Sequence, residues 1–293
     1  MLNAEDTLID SLTQLLSAVF DATRALSVEA GAFLLLSAIL HRKDLIQVLR
    51  KISGASFRVN YLCFLLDALF VGPLLVTLAF LIQDTVATTQ INRLGLSFFE
   101  ALPTWATLLI AVATGDLIGY FRHRLEHSIW LWPIHSMHHS DREMNWLTVY
   151  RIHPLNRVVT VLIDMGTLYL IGFPFWALIA NGLIRHYYGL LTHANVPWTY
   201  GPVGRILVSP AMHRWHHVRE GLGIGNNFAT IFSVFDQAFK TYYVPGVCDA
   251  KVGTDCINHA SFTRQLLNPI AQWASLLREK SSRLWSSCFA AKS

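Results

Sequence analysis

Apolar and polar positions alternate along the chain in blocks that read as helices. Residues 1–27 form an acidic amphipathic lead-in, with Leu8, Leu12, Leu15, Leu16 and Val19 at helical spacing. Residues 28–40, VEAGAFLLLSAIL, are apolar but short of the about 20 residues that cross a bilayer, so they span only if the helix extends back through Ala22. Residues 61–82 are long enough. They contain Asp67, which is expected to face other helices or a site, and Pro73, which is expected to kink the helix. Residues 101–120 form a third span, and residues 158–191 are apolar around Gly172-Phe173-Pro174, which reads as two helices or a re-entrant hairpin. Residues 192–245 belong to a cap outside the bilayer, where the Gly221, Gly223 and Gly225 run reads as a turn because no strand precedes it. Residues 246–293 are a polar segment followed by a helix, with Asn268 as N-cap and Pro269 at its first position. Ile270, Trp273, Leu276 and Leu277 share a face ahead of Arg278, Lys280 and Arg283, which suits a helix lying in the membrane interface. The fold class expected is all-α: an integral membrane helical bundle of about four or five embedded helices with a helical cap, making one membrane domain over residues 1–293.

Composition agrees. Hydrophobic residues make up 53% of the chain and charged residues 14%, with a mean hydropathy of +0.39. Globular chains carry about 25% charged residues. The net charge of +4 suits an anionic membrane surface and not a nucleic-acid partner, which would need a concentrated basic stripe. Arg42, Lys43, Arg50, Lys51 and Arg58 fall in residues 41–60, whereas residues 83–100 hold only Arg93. The positive-inside rule then places 41–60 and the cap in the cytoplasm, of a bacterial cell or on the endoplasmic reticulum. Cys63, Cys248, Cys256 and Cys288 show no C-x2-C pairing, and no disulfide framework is expected. The acidic start, with Glu5, Asp6 and Asp10, does not read as a cleavable signal.

The chemistry is concentrated in histidine. Nine of the 13 histidines lie in four short clusters: His123 and His127 in HRLEH; His135, His138 and His139 in HSMHH; His193 in THANV; and His213, His216 and His217 in HRWHH. Spacings of three and four residues put the rings of each cluster on one helical face. Imidazole suits borderline metals such as zinc and iron. One mononuclear site needs roughly three or four ligands. Nine candidates suit two metals held close together. A structural zinc site would favour cysteine, and none lies near these clusters. Neutral ring nitrogens need acceptors on their far side. Candidates are Asp116, Glu126, Asp141, Glu143, Glu220 and Asp236, with Asp116 and Asp236 preferred for their apolar surroundings. His41 and His259 fall outside every cluster, and His153, outside ligand spacing, is expected to support the site indirectly.

HRLEH, HSMHH and HRWHH resemble the histidine boxes of the fatty acid hydroxylase/sterol desaturase superfamily. Asp116 and Tyr120 ahead of the first box, Arg151-Ile152-His153-Pro154, THANV and SVFDQAFKTY resemble further segments of that family, and the likeness covers residues 105–245, the histidine-box catalytic region. The resemblance implies a membrane-embedded, all-histidine di-iron site that uses O2 to hydroxylate or desaturate a lipid. It also implies electrons from a separate carrier, a ferredoxin or a cytochrome b5-like protein. The sequence departs from the family at Asn156, where many relatives carry glutamate, at Phe235 and Lys240, and at Gly189, where some carry a further ligand. His186, two turns before His193, is the nearest substitute for that ligand. A non-catalytic membrane metal-binding or scaffold protein is the alternative reading, and O2-dependent product formation separates the two.

Overall fold

A computed structural model describes residues 4–40, 54–88 and 95–278. The basic residues Arg42, Lys43, Arg50, Lys51 and Arg93, with Lys280 and Arg283, lie outside the described residues. Among the described residues the chain is helical, and the only extended pairings are isolated bridges, Leu207 with Phe232 and Val218 with Val252. Among the described residues, four helical stretches are long and apolar enough to cross a membrane: Val19–Ile39, Ala55–Val86, Thr104–Glu126 and Pro154–Ile171.

Helix α1, Ala4–Leu40, does extend back through Ala22. Its Leu26 and Phe33 pack with Trp146, Leu147 and Leu190, and the rings of Phe33 and Trp146 stack at 5.2 Å. Helices α2, Ala55–Leu66, and α3, Gly72–Thr88, are joined by a wider π turn, Asp67–Val71. Pro73 has no N–H, and its ring crowds the carbonyl four residues back; the π turn just before it accommodates both without ending the helix. Asp67, on that turn, faces another helix as expected and accepts from Arg157 at 2.9 and 3.3 Å.

The short α4, Leu96–Ala101, leads into α5, Thr104–Glu126, which runs into the cap and ends among the first histidines. After α6, Trp132–His139, the chain descends through α7, Pro154–Thr160, a second π turn, Val161–Met165, and α8, Gly166–Ile171. It turns at Gly172 and returns through α9, Phe175–His193. Gly172 has φ +113° and lies against the backbone of Gly95 and Leu96, where a Cβ would meet Leu96 N at 2.5 Å. Phe99 and Phe173 stack at 3.9 Å over this turn, within a core of Val86, Ala111, Leu168 and Leu178. The apolar 158–191 stretch is therefore a pair of helices that brings His193 back to the side that holds the other clusters.

The cap is completed by α10, Pro210–His216, α11, Val234–Ala238, and α12, Phe262–Arg278. Helix α12 departs from expectation. Asn268 is not its N-cap, and Pro269 lies inside it. Tertiary anchoring overrides the local signal. The Ser261 hydroxyl accepts from Arg264 N at 3.4 Å, and the buried Gln265 side chain accepts from Ser140 and Arg151 and donates to Asn258 O. Phe262 and Leu266 pack on Val59, Cys63 and Met137. The opposite face leaves Leu267, Ile270 and Leu277 exposed. Cys63 and Cys248 are free, and Cys256 is disulfide-bonded.

Candidate metal centre

Four helix C-termini converge on one point. The first two histidines close α5, with His127 as its C-cap; His138 and His139 end α6; His193 is the last residue of α9; and α10 carries His213 and His216, with His217 as C-cap. Local sequence sets up these ends. Pro133 and Pro210 occupy the first turns of α6 and α10, and the Ser209 hydroxyl caps α10 by accepting from Met212 N at 3.1 Å. The C-terminal end of a helix carries partial negative charge, so four such ends favour a cation between them.

All nine predicted histidines meet here, in two groups. His123, His127, His135, His139 and His216 form one, and His138, His193, His213 and His217 the other, with the ligand atoms of each group within 4.8 Å of one another. Adjacent residues on a helix point about 100° apart. His138 and His139 therefore face different groups, as do His216 and His217. The Nε2 atoms point inward: His135 to His139 is 3.2 Å, His138 to His193 3.1 Å, His193 to His213 3.0 Å, and His213 to His217 3.2 Å.

The opposite nitrogens are held from outside. His123, His193 and His216 each donate Nδ1–H to a backbone carbonyl, of Phe228 at 2.8 Å, Gly189 at 2.7 Å and Asn226 at 2.7 Å. The His135 Nδ1–H goes to Asn156 Oδ1 at 3.0 Å, with Glu126 Oε2 at 3.4 Å. This fixes the tautomer and leaves each Nε2 lone pair free. Burial holds the rings neutral. It pushes His193 down to about 4 and His216 to about 3, and takes His138, His139, His213 and His217 well below the usual range. The buried Nε2 atoms of His123 and His216 have no hydrogen-bond partner. Such orphans are costly unless something else occupies them. Two all-imidazole donor sets of this kind fit two borderline metal ions. Phe228, 5.2–5.7 Å from His123, His127 and His216, and Trp132, 5.2 Å from His127, close off the five-histidine group.

The carboxylates divide differently from expectation. Asp116 and Asp236 do not touch the rings. Asp116 accepts from the backbone N–H of Thr230, Ile231 and Phe232, and Asp236 from those of Phe228 and Ala229 and from the Thr241 hydroxyl. Together they pin the loop whose carbonyls hold His123 and His216. Glu126 is the expected carboxylate that does reach a ring. Asp141 instead binds Asn60, Thr148 and Arg151, while Glu143 and Glu220 are exposed. His153 caps α7, accepting from Leu155 N at 3.1 Å and donating to Leu266 O at 3.1 Å, so it ties α7 to α12 and is a structural residue. His186 lies outside both groups, against Tyr150 and Glu29. Asn156 stood out in the sequence only as a departure; its contact with His135 had no local signal.

Residues 108–241 match the fatty acid hydroxylase family. That match takes in 134 of the 293 residues and all of α5 beyond its first turn through α11. Over 163 residues, 55% of the chain, it is 34% identical to an ornithine lipid hydroxylase of Rhizobium tropici, covering 49% of that protein. It is 24% identical over 163 residues to the alkylglycerol monooxygenase of Caenorhabditis elegans, covering 32% of it. With the human alkylglycerol monooxygenase the identity is 29% over 140 residues, covering 30% of it. The chain thus spans about half the length of the first relative and about a third of the others. No solved structure matches the chain. All nine clustered histidines lie within the residues that match the family.

Proposed function

We propose that this chain is a membrane-bound oxygenase that uses O2 and external electrons to hydroxylate a lipid, at two iron ions held by His123, His127, His135, His139 and His216 and by His138, His193, His213 and His217. The division of nine inward-facing histidines into two adjoining groups carries the reading. When bound, the irons supply the reduction of O2 and the oxidation of the C–H bond. The chain's own residues would hold the ions through these nine rings, kept neutral by burial, and would exclude water through Phe228 and Trp132. Relatives named as an ornithine lipid hydroxylase and as alkylglycerol monooxygenases favour a lipid substrate, and hydroxylation over desaturation. Electrons come from a separate carrier, a ferredoxin or a cytochrome b5-like protein. The full chain, purified anaerobically with iron, should carry about two irons. With a reductase system and O2 it should add one oxygen atom to a membrane lipid, read by mass spectrometry. At most one metal ion at saturation would overturn the dinuclear centre, and metal without O2-dependent product would favour the scaffold alternative.

We place the cap on the cytoplasmic side, on the strength of the basic residues between 41 and 60. Single cysteines decide. With an impermeant thiol reagent on intact cells, exposed Ser97→Cys should label and exposed Asn258→Cys should not. Labelling of Asn258→Cys would reverse the topology.

A further inference from the structure

A buried charged network runs from the second π turn to the five-histidine group and touches it at two ends. Asp164, on the π turn Val161–Met165, accepts from Arg122 Nε at 2.8 Å and from Arg185 Nη1 at 2.7 Å. From Arg122 the network continues through Nη1 to Glu126 Oε1 at 2.6 Å. Asn156 Nδ2 donates to that same oxygen at 2.6 Å, which turns Asn156 Oδ1 toward His135 Nδ1 at 3.0 Å. From Arg185 it continues through Nη2 to the Thr230 hydroxyl at 3.2 Å. Thr230 lies in the loop that Asp116 pins, and that loop presents the Phe228 and Asn226 carbonyls to His123 and His216. Three of the five histidines of this group therefore take their orientation from elements joined at Asp164.

The fold makes room for this network. Gly119 has no side chain where Arg185 crosses α5; a Cβ there would lie 2.0 Å from Arg185 Nη2. The π turn carries an extra residue per turn, a feature frequent at functional sites, and sets Asp164 between the two guanidinium groups. The other group is held differently. His193 donates to Gly189 O of its own helix, and the Gly253 N–H reaches the His217 carbonyl.

Resting on the dinuclear reading above, we infer that Asp164 and Asn156 are positioning residues for the five-histidine site alone. The rest of the protein can hold the four-histidine site without them. The network thus makes the two metals separately tunable: the geometry of one depends on a charge cluster buried between helices, and the geometry of the other on backbone.

The test uses the full chain in detergent, stripped of metal and titrated with Co(II), whose visible absorption reads its coordination number. The unaltered chain should take up two ions. Asp164→Asn and Asn156→Leu should each weaken one ion by about 10- to 100-fold and alter its spectrum, leaving the other ion at its original affinity. Asn156→Gln keeps both the amide oxygen for His135 and the amide donor for Glu126, and should weaken that ion less than Asn156→Leu does. Equal weakening of both ions by Asp164→Asn would show a general loosening of the fold and overturn the inference, as would two unaltered ions in both variants. Uptake of fewer than two ions by the unaltered chain would instead overturn the dinuclear reading itself, and the inference with it.

Discussion

His216→Gln is expected to abolish lipid oxidation and to reduce bound iron from two ions to one or fewer. His216 is 1% exposed, its Nε2 faces the five-histidine group with no other partner, and its Nδ1–H is held by Asn226 O at 2.7 Å. Glutamine offers a weak amide oxygen on a flexible stem and has no second nitrogen to anchor it. Loss of a residue that merely supports a ligand lowers affinity or activity by about 10- to 100-fold, so loss of a ligand should exceed about 100-fold. His139→Gln should behave in the same way, since His139 stands in the same group, 3.2 Å from His135. His259→Gln is the control: its imidazole belongs to neither group, and activity and iron should stay within about twofold. Metal analysis and product yield on the same preparations check this. Full iron and activity in His216→Gln would remove His216 from the ligand set, and metal loss in His259→Gln would show that the centre lies elsewhere.

Arg151→Met should cause the largest loss of stability. Arg151 is 0% exposed. Its guanidinium donates to Gln265 Oε1 and Asn60 Oδ1, each at 3.2 Å, and to His259 O, and it faces Asp141 Oδ1 at 3.7 Å. Its side chain joins α2, the loop after α6 and α12. Methionine fills similar volume but leaves the Asp141 carboxylate, itself 1% exposed, without its cation. Breaking one side of a buried ion pair destabilises by about 3–5 kcal/mol. For a chain of this size that is a fall of roughly 10 °C in the unfolding midpoint, measured in detergent. Adding Asp141→Asn to Arg151→Met removes the stranded charge and should recover part of the loss. A midpoint for Arg151→Met within about 2 °C of the unaltered chain would show that the pair contributes little.

Asn268 and Pro269 make a sound local start signal, yet α12 begins earlier, because Gln265 and Phe262 gain more from their contacts than Pro269 loses in one N–H. Asp116 and Asp236 sit in apolar surroundings as expected, but their oxygens meet backbone N–H groups of residues 228–232. Backbone donors and acceptors are identical at every residue, so no pattern of side chains announces them.

The sequence by itself determined the all-helical membrane bundle and the nine histidines, since apolar length and ring spacing along a helix are local quantities. Tertiary structure alone decided which ring joins which group. Rings adjacent in sequence diverge, whereas His138 and His193, 55 positions apart, approach to 3.1 Å. It also decided that His123 and His216 are held by carbonyls, His135 by Asn156, and His153 by none of this machinery. Those assignments depend on how α5, α6, α9 and α10 dock, and docking is a sum of many weak contacts between distant residues that no short stretch of sequence contains.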